Sequence, residues 1–155
     1  MSPRYATREE ALPWPKKKRG LGTVTTGNCV LLADRHHDLA EGVRDLLGSA
    51  FTCVFTVGDA TSLLEGAERL KPRVVIIDLQ FAQGDLAAVL AEILQRSSES
   101  KIVVLTVHDE PSVACAALRA GAHGVVVKRS IATDLLSAID EVLAGHRYLP
   151  GPKST

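Results

Sequence analysis

The chain has 155 residues, 46% of them apolar and 23% charged, with a formal net charge of zero. That length is enough for one domain with a buried core. No apolar run approaches the ~20 residues that cross a bilayer, and the N-terminus lacks the apolar segment of a secretory signal, so a cytoplasmic, non-membrane protein is expected. The zero charge hides an asymmetry. Residues 1–27 carry six Lys and Arg against two Glu, a net of +4, while residues 28–155 carry twelve against sixteen Asp and Glu, a net of −4. The acidic part has no basic stripe suited to nucleic acid. Cys29, Cys53 and Cys115 are odd in number and lack CxxC spacing. They are expected as small buried hydrophobes in a reducing compartment.

Residues 1–27 contain Pro3, Pro13, Pro15, Gly20, Gly22 and Gly27 with little periodicity. They read as a disordered basic arm, dispensable for folding. The run Lys16-Lys17-Lys18-Arg19 is expected as a solvated tail, with contact to an anionic partner as the sharper alternative. Thr25-Thr26-Gly27-Asn28 is not a phosphate loop, because it precedes the first strand. From residue 29 strand and helix patterns alternate. Cys29–Ala33 is an apolar strand ending at Asp34. Leu39, Val43, Leu46 and Leu47 recur at helical spacing up to Gly48, with Asp38 and Glu41 at capping-box spacing. Phe51–Val57 is the second strand. Leu63, Leu64, Ala67 and Leu70 mark a helix that Pro72 ends.

The third strand, Arg73–Ile77, is the most apolar stretch. Its β-branched run Val74-Val75-Ile76-Ile77 leads straight into Asp78, the pattern of a strand buried on both faces. Leu86, Val89, Leu90, Ile93 and Leu94 form the third helical stripe. Ile102–Leu105 is the fourth strand, ending at Thr106. Pro111 opens an alanine-rich helix that Gly121 closes. Val125–Val127 is the fifth strand, ending at Lys128. Leu135, Leu136, Ile139, Val142 and Leu143 form the last helix, with Gly145 behind it. Five βα units in series predict an α/β fold, a doubly wound (βα)5 domain over residues 28–150 with a parallel five-stranded sheet. The length suits the flavodoxin-like order 2-1-3-4-5, whose switch point lies between strands 1 and 3. Residues 151–155 read as a tail or the start of a linker.

Asp34, Asp78, Thr106 and Lys128 each follow the apolar core of a different strand. In a parallel sheet those ends share one edge, where ligands bind in open α/β folds. Each residue alone has a bland reading. Asp78 could cap the next turn, Thr106 a strand end, and Lys128 could be a solvated lysine. Together they suit a phosphoryl group. A carboxylate can accept it, a divalent cation on the acids can neutralise charge, and a lysine can hold phosphate oxygens. His36 and His37 are a weaker, transition-metal candidate. His108 and Asp109 read as loop or cap residues.

The segments Val30-Leu31-Leu32-Ala33-Asp34, Val74–Asp78, Val103-Val104-Leu105-Thr106 and Gly121-Ala122-His123-Gly124-Val125-Val126-Val127-Lys128 resemble a response-regulator receiver domain. Glu41-Gly42-Val43 and Gly145-His146-Arg147-Tyr148-Leu149 resemble its NarL/FixJ subclass. The resemblance covers about residues 28–150. It implies a two-component signalling domain, not an enzyme. Asp78 would take a phosphoryl group from a sensor histidine kinase, Lys128 would pair with it, and Thr106 would be the switch hydroxyl. Asp34, Asp78 and the Gln80 carbonyl would hold Mg²⁺. A homodimer and a role in transcription control are within what it implies, although no DNA-binding output domain follows in these 155 residues.

Four positions depart from the family pattern. Arg35 stands where a second acid is usual, and a guanidinium there is expected to repel a divalent cation and weaken Mg²⁺. It is expected beside Asp34 and Asp78. Ala82 replaces a common proline, Val125 replaces the aromatic switch residue, and Val107 is larger than usual. The alternative reading is a phosphorylation-independent pseudo-receiver, an interaction module in which Arg35 supplies the charge of the metal. A haloacid-dehalogenase-type enzyme would want a second Asp where Gln80 stands, and a nucleotide- or flavin-binding protein would want a glycine-rich loop after strand 1.

Overall fold

The computed structural model describes residues 28–150 apart from residues 36, 49 and 83 and the side chains of residues 37–39. The basic arm, the tail at 151–155, the His36/His37 pair and the Asp38 cap therefore lie outside the described residues. Within them the chain runs β1 (Cys29–Ala33), α1 (His37–Leu47), β2 (Cys53–Val57), α2 (Ala60–Leu70), β3 (Val74–Asp78), a 3₁₀ turn (Leu79–Ala82), α3 (Leu86–Arg96), β4 (Lys101–Thr106), α4 (Pro111–Ala120), β5 (Gly124–Val127), a second 3₁₀ turn (Lys128–Ser130) and α5 (Ile131–Leu143). The strands form one parallel sheet in the order β2-β1-β3-β4-β5, as expected.

Side-chain alternation along the strands sorts the core into two layers. Leu31, Ala33, Val75, Ile77, Val104 and Val125 face α2, α3 and α4, and pack against Leu63, Leu70, Leu90 and Ile93. Val30, Leu32, Val74, Ile76, Leu105 and Val126 face α1 and α5, and pack against Val43, Leu47, Leu135 and Ile139. Every residue of β3 is buried, which is why its sequence is continuous rather than alternating. Asp59 and Asp85 are used locally: their carboxylates accept from the Ser62 and Ala88 N–H groups at 2.7 and 3.1 Å, capping α2 and α3.

Strand limits differ from the sequence reading by one or two residues. Phe51 is buried but precedes β2, because residues 50 and 51 are tied back to Leu47 by their N–H groups. Asp78 and Thr106 fall inside β3 and β4 as their last residues. Helix α2 ends at Leu70, and Lys71, held from helical geometry by Pro72, adopts a left-handed φ of 46°. The cysteine expectation holds only for Cys29. Cys53 is half-buried and Cys115 is exposed on α4, and all three are free thiols. Burial pushes the Cys29 thiol up to about 12, helped by its hydrogen bond with Cys53 in register on β2. At that value it is an inert packing residue.

The segment after α5 returns to the sheet. Tyr148 N–H donates to the His123 carbonyl at 3.1 Å, and Val125 N–H donates to the Tyr148 carbonyl at 2.9 Å, beside Gly124. A Cβ at Gly124 would lie 3.0 Å from Val142 Cγ1 and 3.3 Å from Tyr148 Cβ. Gly124→Val should therefore cost about 1–3 kcal/mol by overpacking, read as a lowered urea midpoint at unchanged m-value. An unchanged midpoint would show that α5 moves aside freely.

His123 links the same corner to β4. Its Nδ1 accepts the Ile102 N–H at 2.9 Å, so the ring is neutral with its proton on Nε2. Burial lowers its pKa, and the positive charges of Lys101 and Arg147 lower it further. A folded-state pKa below the unfolded value of ~6.5 means that the contribution is complete above that pH and is lost as pH falls through the folded value. Wild type should thus lose more thermal stability between about pH 6.5 and pH 5 than His123→Gln does. Parallel curves for the two would refute the assignment.

Candidate functional site

Sheet register builds the site. Ala33 pairs with Ile77, so Asp34 is level with Asp78. Asp78 pairs with Leu105, one residue before Thr106, and Thr106 pairs with Val127, one residue before Lys128. The four residues singled out in the sequence therefore share the C-terminal edge of the sheet, across β1, β3, β4 and β5. Alternation also sorts them. Asp34 and Asp78 continue the phase of Leu32 and Ile76, toward α1 and α5, whereas Arg35 continues the phase of Ala33, toward the opposite layer.

Both carboxylates are withdrawn from solvent, Asp34 at 1% and Asp78 at 3% exposure. Asp78 Oδ2 accepts from Lys128 Nζ at 2.5 Å, an ion pair in which the lysine is partly exposed. Asp78 Oδ1 accepts the Gln80 N–H at 3.0 Å. The capping reading of Asp78 holds, since one oxygen closes the Leu79–Ala82 turn, while the other oxygen meets a cation. A buried carboxylate is tolerated only when its lone pairs are met in this way.

Thr106 is 2% exposed, and its Oγ1 accepts the His108 N–H at 3.0 Å, which leaves the hydroxyl proton available to a new acceptor. A further tie was not foreseen from the sequence. Asp109, after β4, accepts from Arg129 at 2.6 Å, so the loop behind Thr106 is joined to the turn that carries Lys128. The only sequence signal was that Asp109 lies three residues after Thr106 and Arg129 directly after Lys128. Val107 is 54% exposed, and Val125 is fully buried in the α2–α4 layer.

Arg35 does not pair with Asp78, whose cation is Lys128. Its guanidinium lies over the Phe81 ring, 5.0 Å from the centroid, and donates to the Phe81 carbonyl at 3.4 Å. Phe81 is a buried member of the α2–α4 layer. Arg35 is thus drawn onto the loop behind Asp78 by cation–π attraction and one long hydrogen bond.

These features match one family. A family model for the response regulator receiver domain matches residues 30–140. The chain belongs to the response-regulator receiver family. This receiver is 31% identical over 123 residues to the nitrate/nitrite response regulator protein NarL of Escherichia coli K12, covering 77% of this chain and 56% of the relative. It is 28% identical over 128 residues to the transcriptional regulatory protein DegU of Brevibacillus brevis, covering 81% and 54%. The chain therefore spans about half the length of the curated relatives it matches. Among solved structures, the non-phosphorylated receiver domain of the stress response regulator RcsB from Escherichia coli superposes with a TM-score of 0.68 at 28% identity, covering 81% of this chain and 99% of that one. A LuxR-family two-component response regulator from Aurantimonas gives 0.69 at 27% identity, covering 79% and 89%. The likeness to NarL and to LuxR-family regulators agrees with the subclass read from the sequence.

Receiver domains are signalling domains that typically bind Mg²⁺ at an acidic pocket. Mg²⁺ demands a near-ideal octahedron of oxygens, carboxylates foremost. The receiver offers Asp34, Asp78 and the Gln80 carbonyl, while position 35 presents a guanidinium that is bonded to the carbonyl next to that of Gln80. Among the described residues no group of three or more His, Cys, Asp or Glu is arranged to hold a metal ion. This donor set does not fit a tight Mg²⁺ site.

Proposed function

We propose that residues 28–150 form a phosphoacceptor receiver of a two-component system. Asp78 takes a phosphoryl group from the phosphohistidine of a sensor histidine kinase, Lys128 pairs with the phosphoryl oxygens, and Thr106 turns its hydroxyl toward them. The observation that carries this reading is the Asp78–Lys128 ion pair at the C-terminal edge of the sheet, with the acid 3% exposed. A carboxylate there is both a nucleophile and the neighbour of a cation that stabilises the charge it acquires. Asp34, Asp78 and the Gln80 carbonyl remain as a weak Mg²⁺ donor set, with Arg35 opposing the ion.

Phosphorylation then changes partner or dimer contacts through Thr106 and the Asp109–Arg129 tie behind it. Names such as transcriptional regulatory protein among the relatives support an output in transcription control through a DNA-binding partner domain. Among the described residues no helix is long and apolar enough to cross a membrane, which accords with action in the cytoplasm. Slow self-phosphorylation and dephosphorylation are the extent of the catalysis assigned to the domain.

Intact-mass spectrometry after incubation with acetyl phosphate and Mg²⁺ tests the reading. Gain of one phosphoryl group supports it. No gain with acetyl phosphate or with phosphoramidate would leave the phosphorylation-independent interaction module in its place.

A further inference from the structure

The buried carboxylates Asp34 and Asp78 bring two negative charges to the edge of the sheet, and Lys128 and Arg35 bring two positive ones. The pocket is balanced by its own side chains. Phosphorylation of Asp78 adds charge that Lys128 alone cannot offset. Arg35 follows Asp34 at that edge and is bonded to the carbonyl three residues after Asp78, so a swing of its side chain off Phe81 would supply the rest. Its hydrogen bond to Phe81 is long, its ring contact is adaptable, and its side chain is exposed, so little holds it back. A guanidinium pairs with phosphoryl oxygens through two parallel N–H groups and keeps its charge at all working pH values.

We propose that Arg35 is the built-in counter-cation of this receiver, and that Asp78 accepts a phosphoryl group without a divalent metal. The inference rests on the phosphoacceptor reading of Asp78 and deepens it. An Asp78 carboxylate oxygen attacks the phosphorus of an acyl phosphate or a phosphohistidine, forming the acyl-phosphate O–P bond. The P–O or P–N bond to the donor breaks. A carboxylate leaves with the electron pair, or imidazole leaves and takes a proton from water. Arg35 swings from Phe81 onto the phosphoryl oxygens, opposite Lys128. No oxidant or further reactant enters.

The test follows labelling of the whole chain by acetyl phosphate in excess chelator and in excess Mg²⁺, read by intact mass, for wild type, Arg35→Gln and Arg35→Lys. Wild type should label at rates within about twofold in the two conditions. Arg35→Gln should lose at least about tenfold in chelator and recover with Mg²⁺. Arg35→Lys should stay intermediate in chelator, since it keeps the charge and loses the fork. Wild type that labels only with Mg²⁺ would overturn the inference and leave the phosphoacceptor reading standing. Arg35→Gln that labels like wild type in chelator would overturn it as well, because Arg35 would not be the counter-cation. Wild type that labels in neither condition would overturn both.

Discussion

Asp78→Asn should all but abolish phosphoryl uptake. The amide has the volume of the carboxylate, and its carbonyl oxygen can still accept the Gln80 N–H that Oδ1 accepts at 3.0 Å. The turn after β3 therefore survives. What disappears is the anionic nucleophile, and a neutral amide does not attack phosphorus. The rival acceptor is Asp34, which is level with Asp78 on β1 and is also buried. Lys128 should discriminate between them, since its ammonium is bonded to Asp78 Oδ2 and would direct a phosphoryl group there. We expect a fall of at least about a hundredfold in the rate of mass gain, the order seen when a preorganised group at a reacting centre is removed. The stability cost should be small, because the partly exposed Lys128 keeps access to water once its partner is neutral. Undiminished labelling of Asp78→Asn would move the acceptor to Asp34 or elsewhere. Peptide mapping of the product would say where.

Much of this was legible in the sequence because a parallel sheet buries its central strands on both faces. Val74 to Ile77 could not be anything but interior, and Asp78 at its end had to be reconciled with that burial. Five βα repeats implied a parallel sheet, the length suited the order 2-1-3-4-5, and a parallel sheet puts the strand ends at Asp34, Asp78, Thr106 and Lys128 on one edge. What could not be read depended on contacts distant in sequence. The seat of Arg35 on Phe81 is one example. Alternation alone turns residue 35 toward the α2–α4 layer, but which group receives it depends on the path of the Leu79–Ala82 turn. The exposure of Cys115 is another. On an alanine-rich helix both faces look apolar, so composition does not say which side meets the core. Tyr148 is a third, because its pairing beside Gly124 joins residues separated by the whole of α5.

The burial of Val125 has a consequence for the switch. A Val side chain at 0% exposure on β5 is locked in the core and has no polar tip to follow Thr106. On the proposed reading, movement of Thr106 would instead be communicated by the loop behind it, where Asp109 reaches Arg129 beside Lys128. The two residues proposed to meet the phosphoryl group, Thr106 and Lys128, would in this way be coupled through the surface pair Asp109–Arg129. The tie is an exposed ion pair, worth a fraction of a kcal/mol at most, so it can open without a large cost.

Arg35→Asp should raise Mg²⁺ affinity by about two orders of magnitude. The substitution turns a +1 charge into −1 near an ion of charge +2, so the product of charges changes by four units. At ~6 Å and the dielectric of water, ~80, a unit pair interacts by ~0.7 kcal/mol, which makes the swap worth ~3 kcal/mol. Since 1.4 kcal/mol is tenfold, that is about a hundredfold in Kd. Physiological salt screens part of it, and direct coordination by the new carboxylate adds to it. Arg35 is exposed and rests on Phe81 through one long hydrogen bond and a ring contact, so the cost to folding should be small. Three acids and one lysine would then leave the pocket two charges negative. Phosphorylation of Arg35→Asp should accordingly depend on Mg²⁺ and exceed the wild-type rate when the ion is saturating. A titration followed by calorimetry supplies the affinities. Equal values for wild type and Arg35→Asp would mean that Arg35 is too far from the ion to oppose it, and that Asp34 and Asp78 alone set the affinity.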